Sequence, residues 1–153
     1  MLKRSMAPYS KILVNVASGP DLRYPVLGWP VLQTHGDQMG SGGGQGFAGP
    51  DLPIVRGSKK IQLSAGAIGE QYHLILSAHY HTSSNPGSTL ANGSIVGYSE
   101  YIQTLRAAPD VPRQWLGLIH EKWGLRERMP IALEDPPKPD KIRIKVPVGT
   151  IDD

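Results

Sequence analysis

The sequence predicts an α/β fold that is rich in strands, and three observations support this class. Leu74-Ile75-Leu76 is a continuous apolar run, typical of a strand that is buried on both faces. The 153 residues include 18 glycines and 14 prolines, which indicates many turns. No long amphipathic helical pattern is present. A chain of this length is expected to form a single domain, residues 1–153.

Short apolar runs bounded by turn residues predict further strands along the chain. They cover residues 11–16, 22–27, 29–34, 114–121 and 123–131. Pro25 favours an edge position for the second of these, because proline cannot donate to a neighbouring strand. Residues 131–153 are expected to be a C-terminal extension. Its segment 141–146 alternates basic and apolar residues, as a half-exposed strand does.

The connecting segments are less regular. Residues 40–57 are glycine-rich without helical or strand period, and this predicts a loop beside the functional site. Residues 59–63 fit either a short strand or the start of a helix. Asn92-Gly93 is the dipeptide most typical of a tight hairpin turn, so a hairpin is predicted there.

The composition excludes some kinds of site and is compatible with others. Cysteine is absent, which excludes disulfides and thiolate metal sites. The formal net charge of +3 is a mild excess that is compatible with phosphate-bearing substrates. The apolar run near the N-terminus is too short for a signal peptide or a membrane span, so a cytoplasmic protein without a membrane partner is expected.

Histidines follow two of the predicted strands. His79 and His81 come directly after the central apolar run, and on an extended backbone residues two apart point to the same side. His35 ends the strand at 29–34 and is followed by Gly36 and Asp37. Imidazole and carboxylate ligands together suit Mn²⁺, Fe²⁺, Zn²⁺ or Ni²⁺, so the pattern predicts a metal site. His73, inside the apolar strand, and His120 are expected to be structural.

The order of these motifs carries a family resemblance. One strand ends in His35-Gly36-Asp37, a later strand ends in His79-Tyr80-His81, and Asn92-Gly93-Ser94 follows. In this order the motifs resemble the C-terminal half of calcineurin-like metallophosphoesterases. In that family the second motif is Gly-His-x-His, and here Ala78 replaces the glycine. The resemblance covers residues 11–130. It implies half of a two-sheet αββα sandwich with flanking helices.

The resemblance also implies a site that holds two divalent metal ions. His35 and His79 would ligate the second metal and His81 the first, and Asp37 would not bind a metal but would contact one of the ligands. Arg56 and Asn92 are further candidates for contact with the phosphate or with the ligands. The implied reaction is hydrolysis of phosphate monoesters or diesters by a metal-activated water. Nucleic acid is one substrate class that the glycine-rich loop would admit.

Three family motifs that supply the remaining ligands and the catalytic histidine do not occur in this chain: Asp-x-His, Gly-Asp-x-x-Asp and Gly-Asn-His-Asp/Glu. The chain is therefore expected to be a fragment, a separately encoded half or a degenerate relative, and to be inactive alone. The N-terminal half of the domain, another chain or a second copy is the expected partner, because half of a sandwich exposes apolar sheet surface.

Two other classes remain open. One is a non-catalytic structural or binding module, derived from the same fold and belonging to a larger assembly. The other is a single-metal protein of cupin type, which also carries His-x-His on a strand. That class needs a glutamate a few residues after the pair, whereas the next acidic residue after His81 is Glu100.

Overall fold

A computed structural model of the chain describes residue 11 and residues 14–40, 51–96 and 111–134. Its elements in chain order are β1 (Asp21–Val26), β2 (Trp29–Thr34), a 3-10 helix (Asp37–Met39), α1 (Asp51–Ala67), β3 (Leu74–Ser77), β4 (Thr89–Ala91), β5 (Arg113–His120) and β6 (Gly124–Ala132). The predicted mixed α/β, strand-rich class is confirmed.

The four strands β1 to β4 form one mixed sheet in the order β1-β2-β3-β4. β1 is antiparallel to β2, whereas β2, β3 and β4 run parallel, with Leu32 beside Ile75 and Leu76 beside Leu90. β1, which contains Pro25, is an edge strand as predicted. The carboxyl ends of the three parallel strands meet at one edge of the sheet, where α/β proteins commonly place a site.

Both faces of this sheet are covered, which explains the continuous apolar run in β3. One face packs against α1 and the 3-10 helix through Leu32, Ile75, Ala91, Ile54 and Met39. The other face packs against β5 and β6. Its buried residues are Val31, Leu74 and Leu90, and Trp115, Ile119 and Leu125 pack against them. The described residues thus form three layers: helix, four-stranded sheet and hairpin.

β5 and β6 pair as an antiparallel hairpin, which confirms the two strands predicted at 114–121 and 123–131. The strands are joined at residues 121–123. Apolar side chains also lie on the solvent-exposed side of the hairpin. Four of them, exposed by 37 to 48%, are Leu116, Leu118, Met129 and Ile131. We call these four residues the apolar stripe.

The loop predicted for residues 40–57 is wrong from Asp51 onward, because α1 begins there. Pro53 lies in the first turn, where a helix tolerates proline since the missing N–H would have no partner. The Asp51 carboxylate in the same turn interacts favourably with the helix dipole. Residues 59–63, which fitted a strand or a helix, are therefore helical.

The hairpin predicted at Asn92-Gly93 is also wrong. β4 pairs with β3 in parallel, and the chain continues beyond the sheet edge: the Asn92 N–H donates to the Ser77 carbonyl at 2.8 Å and the Ser94 N–H to the His81 carbonyl at 3.1 Å. The end of β3 and the segment that follows it therefore pair with the backbone groups that a hairpin would have paired locally.

Residues 14–16 are not in a strand, contrary to the prediction for 11–16. The remainder of the glycine-rich segment (41–50) and the predicted strand at 141–146 lie outside the described residues. Within the described ranges, no helix has the length and apolar character needed to cross a membrane.

Candidate metal centre

His35 and His79 follow the neighbouring parallel strands β2 and β3, so both lie at the carboxyl edge of the sheet. The strand pairing extends past both ends, because the Ala78 N–H donates to the His35 carbonyl at 3.0 Å. Gly36 comes next with φ +107°, and a Cβ there would lie 3.1 Å from the Ala78 carbonyl oxygen. Glycine is thus required for both the backbone conformation and the close approach.

The two imidazoles meet at this edge. His79 Nδ1 lies 3.2 Å from His35 Nε2, and the ring centroids are 5.1 Å apart in an edge-to-face arrangement. Both side chains are exposed, so solvent and solutes reach them. We call these two residues the histidine pair.

A zinc ion binds imidazole nitrogens at about 2.0–2.1 Å, and two such nitrogens in a tetrahedral site are about 3.3 Å apart. The 3.2 Å between the nitrogens of the histidine pair therefore fits two ligands of one ion. It equally fits one hydrogen bond between neutral imidazoles, in which one ring donates and the other accepts. The distance between the two nitrogens therefore fits a bound metal ion, and it fits a hydrogen bond without a metal equally well.

The backbone at His79 and His81 is not extended. β3 ends at Ser77, and both His79 (φ +70°) and His81 (φ +56°) adopt the left-handed conformation. The expectation that His79 and His81 lie on an extended backbone is wrong, because the chain turns at each histidine. His81 is exposed.

Three or more His, Asp or Glu side chains that could hold a metal together are not found in the described part of the chain. His81 and Asp37 therefore do not complete a three-ligand group with the histidine pair.

Tyr80 lies between His79 and His81 in the sequence and was not among the predicted site residues. Its hydroxyl donates to the Gly40 carbonyl at 2.9 Å, and its ring stands edge-on to His79 at 5.4 Å. Burial raises the pKa of the Tyr80 hydroxyl, and the negative charge of Asp37 raises it further. Asp37 thus lies close enough to act on Tyr80. A tyrosine flanked by two histidines was the only sequence signal for it.

The other candidates have different surroundings. The Asn92 side-chain oxygen accepts from the Trp115 N–H at 2.9 Å, which links β4 to the hairpin. Asn92 therefore has a structural role. Arg56 lies exposed in α1, and no contact in the described residues joins it to the histidine pair.

His73 and His120 are structural, as predicted. His73 Nε2 accepts from the Leu125 N–H at 2.8 Å, and its ring packs against Trp29. His120 Nδ1 accepts from the Lys122 N–H at 3.0 Å.

No protein-family model, curated protein or solved structure matches this chain. The resemblance to metallophosphoesterases therefore depends on the motifs and their order alone.

Proposed function

We propose that this chain is the C-terminal portion of a dinuclear-metal-dependent phosphoesterase, and that the histidine pair holds one of the two ions. The observation that carries the proposal is the 3.2 Å approach of His35 Nε2 and His79 Nδ1 at the carboxyl ends of adjacent parallel strands. These are the two residues that the resemblance assigns to one metal. They are separated by 44 residues, so the fold, and not sequence proximity, brings them together.

Each described residue has a limited role in this proposal. The histidine pair binds one ion. The resemblance assigns His81, which is exposed two residues further on, to the second ion, whose other ligands come from a partner chain. Tyr80 and Asp37 position the segment that carries these histidines. When bound, the ions would supply Lewis-acid polarisation of a phosphate and a water of lowered pKa.

The apolar stripe supports the partner in this proposal. Four apolar side chains exposed by 37 to 48% on one hairpin are more than isolated surface residues, and burying them would stabilise a complex. The partner that fits is the polypeptide that carries the missing Asp-x-His and Asn-His motifs. It would complete both the sandwich and the metal site.

Reconstitution tests the function. We assay the chain alone and the chain mixed with a second polypeptide, encoded beside it, that carries Asp-x-His and Asn-His motifs. Each assay contains Mn²⁺, and the substrates are p-nitrophenyl phosphate and bis(p-nitrophenyl) phosphate. We expect hydrolysis only in the mixture, and its loss with His79→Ala. Hydrolysis that His79→Ala leaves unchanged would contradict the proposal. Hydrolysis of the monoester alone would exclude a nuclease.

A second candidate is a non-catalytic module of a larger assembly. The observation that favours it is the lack of a three-ligand group in the described residues. In that case the histidine pair is a hydrogen bond that fastens the ends of β2 and β3. Stable complex formation through the apolar stripe, together with no metal binding by the histidine pair, would favour this second candidate.

A further inference from the structure

The turn between β5 and β6 presents a tryptophan among cationic groups. Trp123 is 57% exposed, and the His120 ring stacks on it with centroids 4.4 Å apart and planes 27° from parallel. The Arg126 guanidinium lies 5.4 Å from the Trp123 ring centroid and the Lys122 ammonium 5.8 Å. Both distances are within the range of a cation–π interaction. We call these four residues the hairpin tip.

A β-bulge accounts for the position of Arg126. Leu118 pairs with Glu127 and Ile119 with Leu125, so Arg126 is an extra residue without a direct partner on β5. Bulges of this kind redirect a side chain and sharpen the local twist. Here the guanidinium is directed back over the turn.

The hairpin tip is also fixed to the body of the protein. The Trp29 indole N–H donates to the carbonyls of His120 at 3.2 Å and Glu121 at 2.9 Å. On the other side of the turn, the Leu125 N–H donates to His73 Nε2. An exposed aromatic ring on a turn that is anchored on both sides loses little conformational entropy when a ligand binds.

This surface is separate from the histidine pair. Trp29 begins β2 and His73 directly precedes β3, so the hairpin tip lies at the amino ends of these strands. The histidine pair lies at their carboxyl ends. A ligand at the tip therefore needs no contact with the candidate metal centre.

We propose that the hairpin tip binds single-stranded nucleic acid, with an unpaired base on the Trp123 ring and phosphates beside Lys122 and Arg126. A nucleic-acid strand combines the π faces of its bases with negatively charged phosphates, and the hairpin tip combines an exposed aromatic ring with two cations. A membrane surface fits less well, because charged side chains and not apolar ones surround the ring. Glu121 and Glu127 lie in the same hairpin, so the attraction is local to the ring and is not that of a uniformly basic face.

Fluorescence anisotropy with a labelled oligothymidylate tests the proposal, with EDTA present so that no metal site contributes. We compare the full chain with Trp123→Ala, Trp123→Phe and Lys122→Ala/Arg126→Ala. The matched control is Lys59→Ala/Lys60→Ala, which removes two exposed lysines from α1 on the other face of the sheet. Thermal unfolding of each variant verifies that it is folded.

The expected results are specific. Trp123→Ala weakens binding about tenfold, since stacking of one base contributes about 1–3 kcal/mol, and Trp123→Phe retains most of the affinity. Loss of two phosphate contacts in Lys122→Ala/Arg126→Ala lowers the slope of log K against log salt by about 1.4. The control variant binds as the wild type does. A duplex of the same length binds more weakly, because its bases are stacked.

Several results would overturn the proposal. The first is that the chain does not bind oligothymidylate. The second is that Trp123→Ala binds it as tightly as the wild type does and that Lys122→Ala/Arg126→Ala keeps the wild-type dependence of affinity on salt. Binding to vesicles of phosphatidylcholine and phosphatidylserine, without binding to the oligonucleotide, would assign the tip to a membrane surface.

Discussion

At the carboxyl end of β3, two histidines adopt backbone conformations that L-amino acids rarely occupy. His79 has φ +70° and His81 has φ +56°. A non-glycine residue in this region costs about 1–2 kcal/mol relative to the ordinary conformations. Such strain recurs at functional sites, where the surrounding structure maintains it. Here the Tyr80 and Ser94 backbone N–H groups donate to the carbonyls of Ala78 and His81, which fixes the turn.

The strain at His79 predicts an order of stability among variants. His79→Gly and His79→Ala both lose the imidazole, but only glycine adopts φ +70° without cost. We therefore expect the free energy of unfolding of His79→Gly to exceed that of His79→Ala by about 1 kcal/mol. Urea denaturation of the two variants measures the difference. Equal stabilities would mean that the backbone at His79 is not held in this conformation.

Tyr80 gives a prediction about pH. Burial and the Asp37 charge hold the pKa of Tyr80 above its ordinary value, so Asp37→Asn should lower that pKa toward the ordinary one. A carbon-13 NMR titration of the tyrosine ring measures the change. Asp21→Asn is the control, because the Asp21 charge acts on Tyr72. An unchanged Tyr80 pKa in Asp37→Asn would show that Asp37 is not near the hydroxyl.

The raised pKa of Tyr80 also makes the stability of the protein depend on pH. Tyr80 has a higher pKa in the folded protein, so the unfolded chain loses its proton first as the pH rises above about 10. The contribution of Tyr80 is thus fully present below that pH and is lost as the pH rises through the folded-state pKa. Tyr80→Phe should accordingly reduce the alkaline loss of stability.

Among the secondary-structure elements, five of the six described strands were predictable from sequence, whereas the parallel pairing of β4 and the helix α1 were not. β1, β2, β3, β5 and β6 carry apolar runs that end at turn residues. The inward face of α1 does have helical spacing, at positions 54, 57, 58, 61 and 65. Glycine, serine and alanine occupy three of those positions, so no stripe of large apolar residues marks the period. Residues 51–57 were therefore predicted as part of a loop, and residues 59–63 fitted either a strand or a helix.

Gly57 shows why small residues are needed on this face. A Cβ at Gly57 would overlap the Met39 side chain and backbone, since α1 packs directly against the 3-10 helix there. Gly66 lies in the same helix with open space around it. We expect Gly57→Ala to destabilise the protein by about 2 kcal/mol or more through overpacking. Gly66→Ala should be neutral or stabilise by up to about 1 kcal/mol, because alanine favours the helix.

Thermal unfolding of the two glycine variants, side by side, measures this contrast. Both substitutions add one methyl group to α1, so helix propensity favours them equally and only the packing differs. If Gly57→Ala were as stable as Gly66→Ala, the helix would not lie against Met39 as described.

The candidate site was predictable only in part, and the reason is geometric. His35 and His79 come together because β2 and β3 are adjacent and parallel, which the two strand-plus-histidine motifs indicated. The direction of His81 depends on left-handed turns at His79 and His81. Glycine and asparagine are the residues most typical of such turns, so the two histidines did not indicate them. Tyr80 was missed for a similar reason, since its neighbours at Gly40 and Asp37 are distant in sequence.

At the scale of the whole molecule, the described residues place two surfaces at opposite edges of one sheet. The histidine pair lies at the carboxyl edge and the hairpin tip at the amino edge, with the apolar stripe on the outer side of the hairpin. This arrangement suits a component of a larger complex. Under the proposed function, a partner would cover the apolar stripe and add ligands at the carboxyl edge. The amino edge would stay open for the nucleic-acid strand that we propose for the hairpin tip.

Calorimetric titration of the purified chain with Zn²⁺ and Mn²⁺ tests whether the histidine pair holds a metal ion. The variants are His35→Ala, His79→Ala and His81→Ala, with His120→Ala as a histidine outside the site. We predict one ion per chain, an affinity reduced about tenfold or more in His35→Ala and in His79→Ala, and wild-type affinity in His120→Ala. His81→Ala should retain the ion held by the histidine pair. Absence of binding, or binding that neither His35→Ala nor His79→Ala weakens, would mean that the histidine pair is a hydrogen bond between two strand ends and not a metal site.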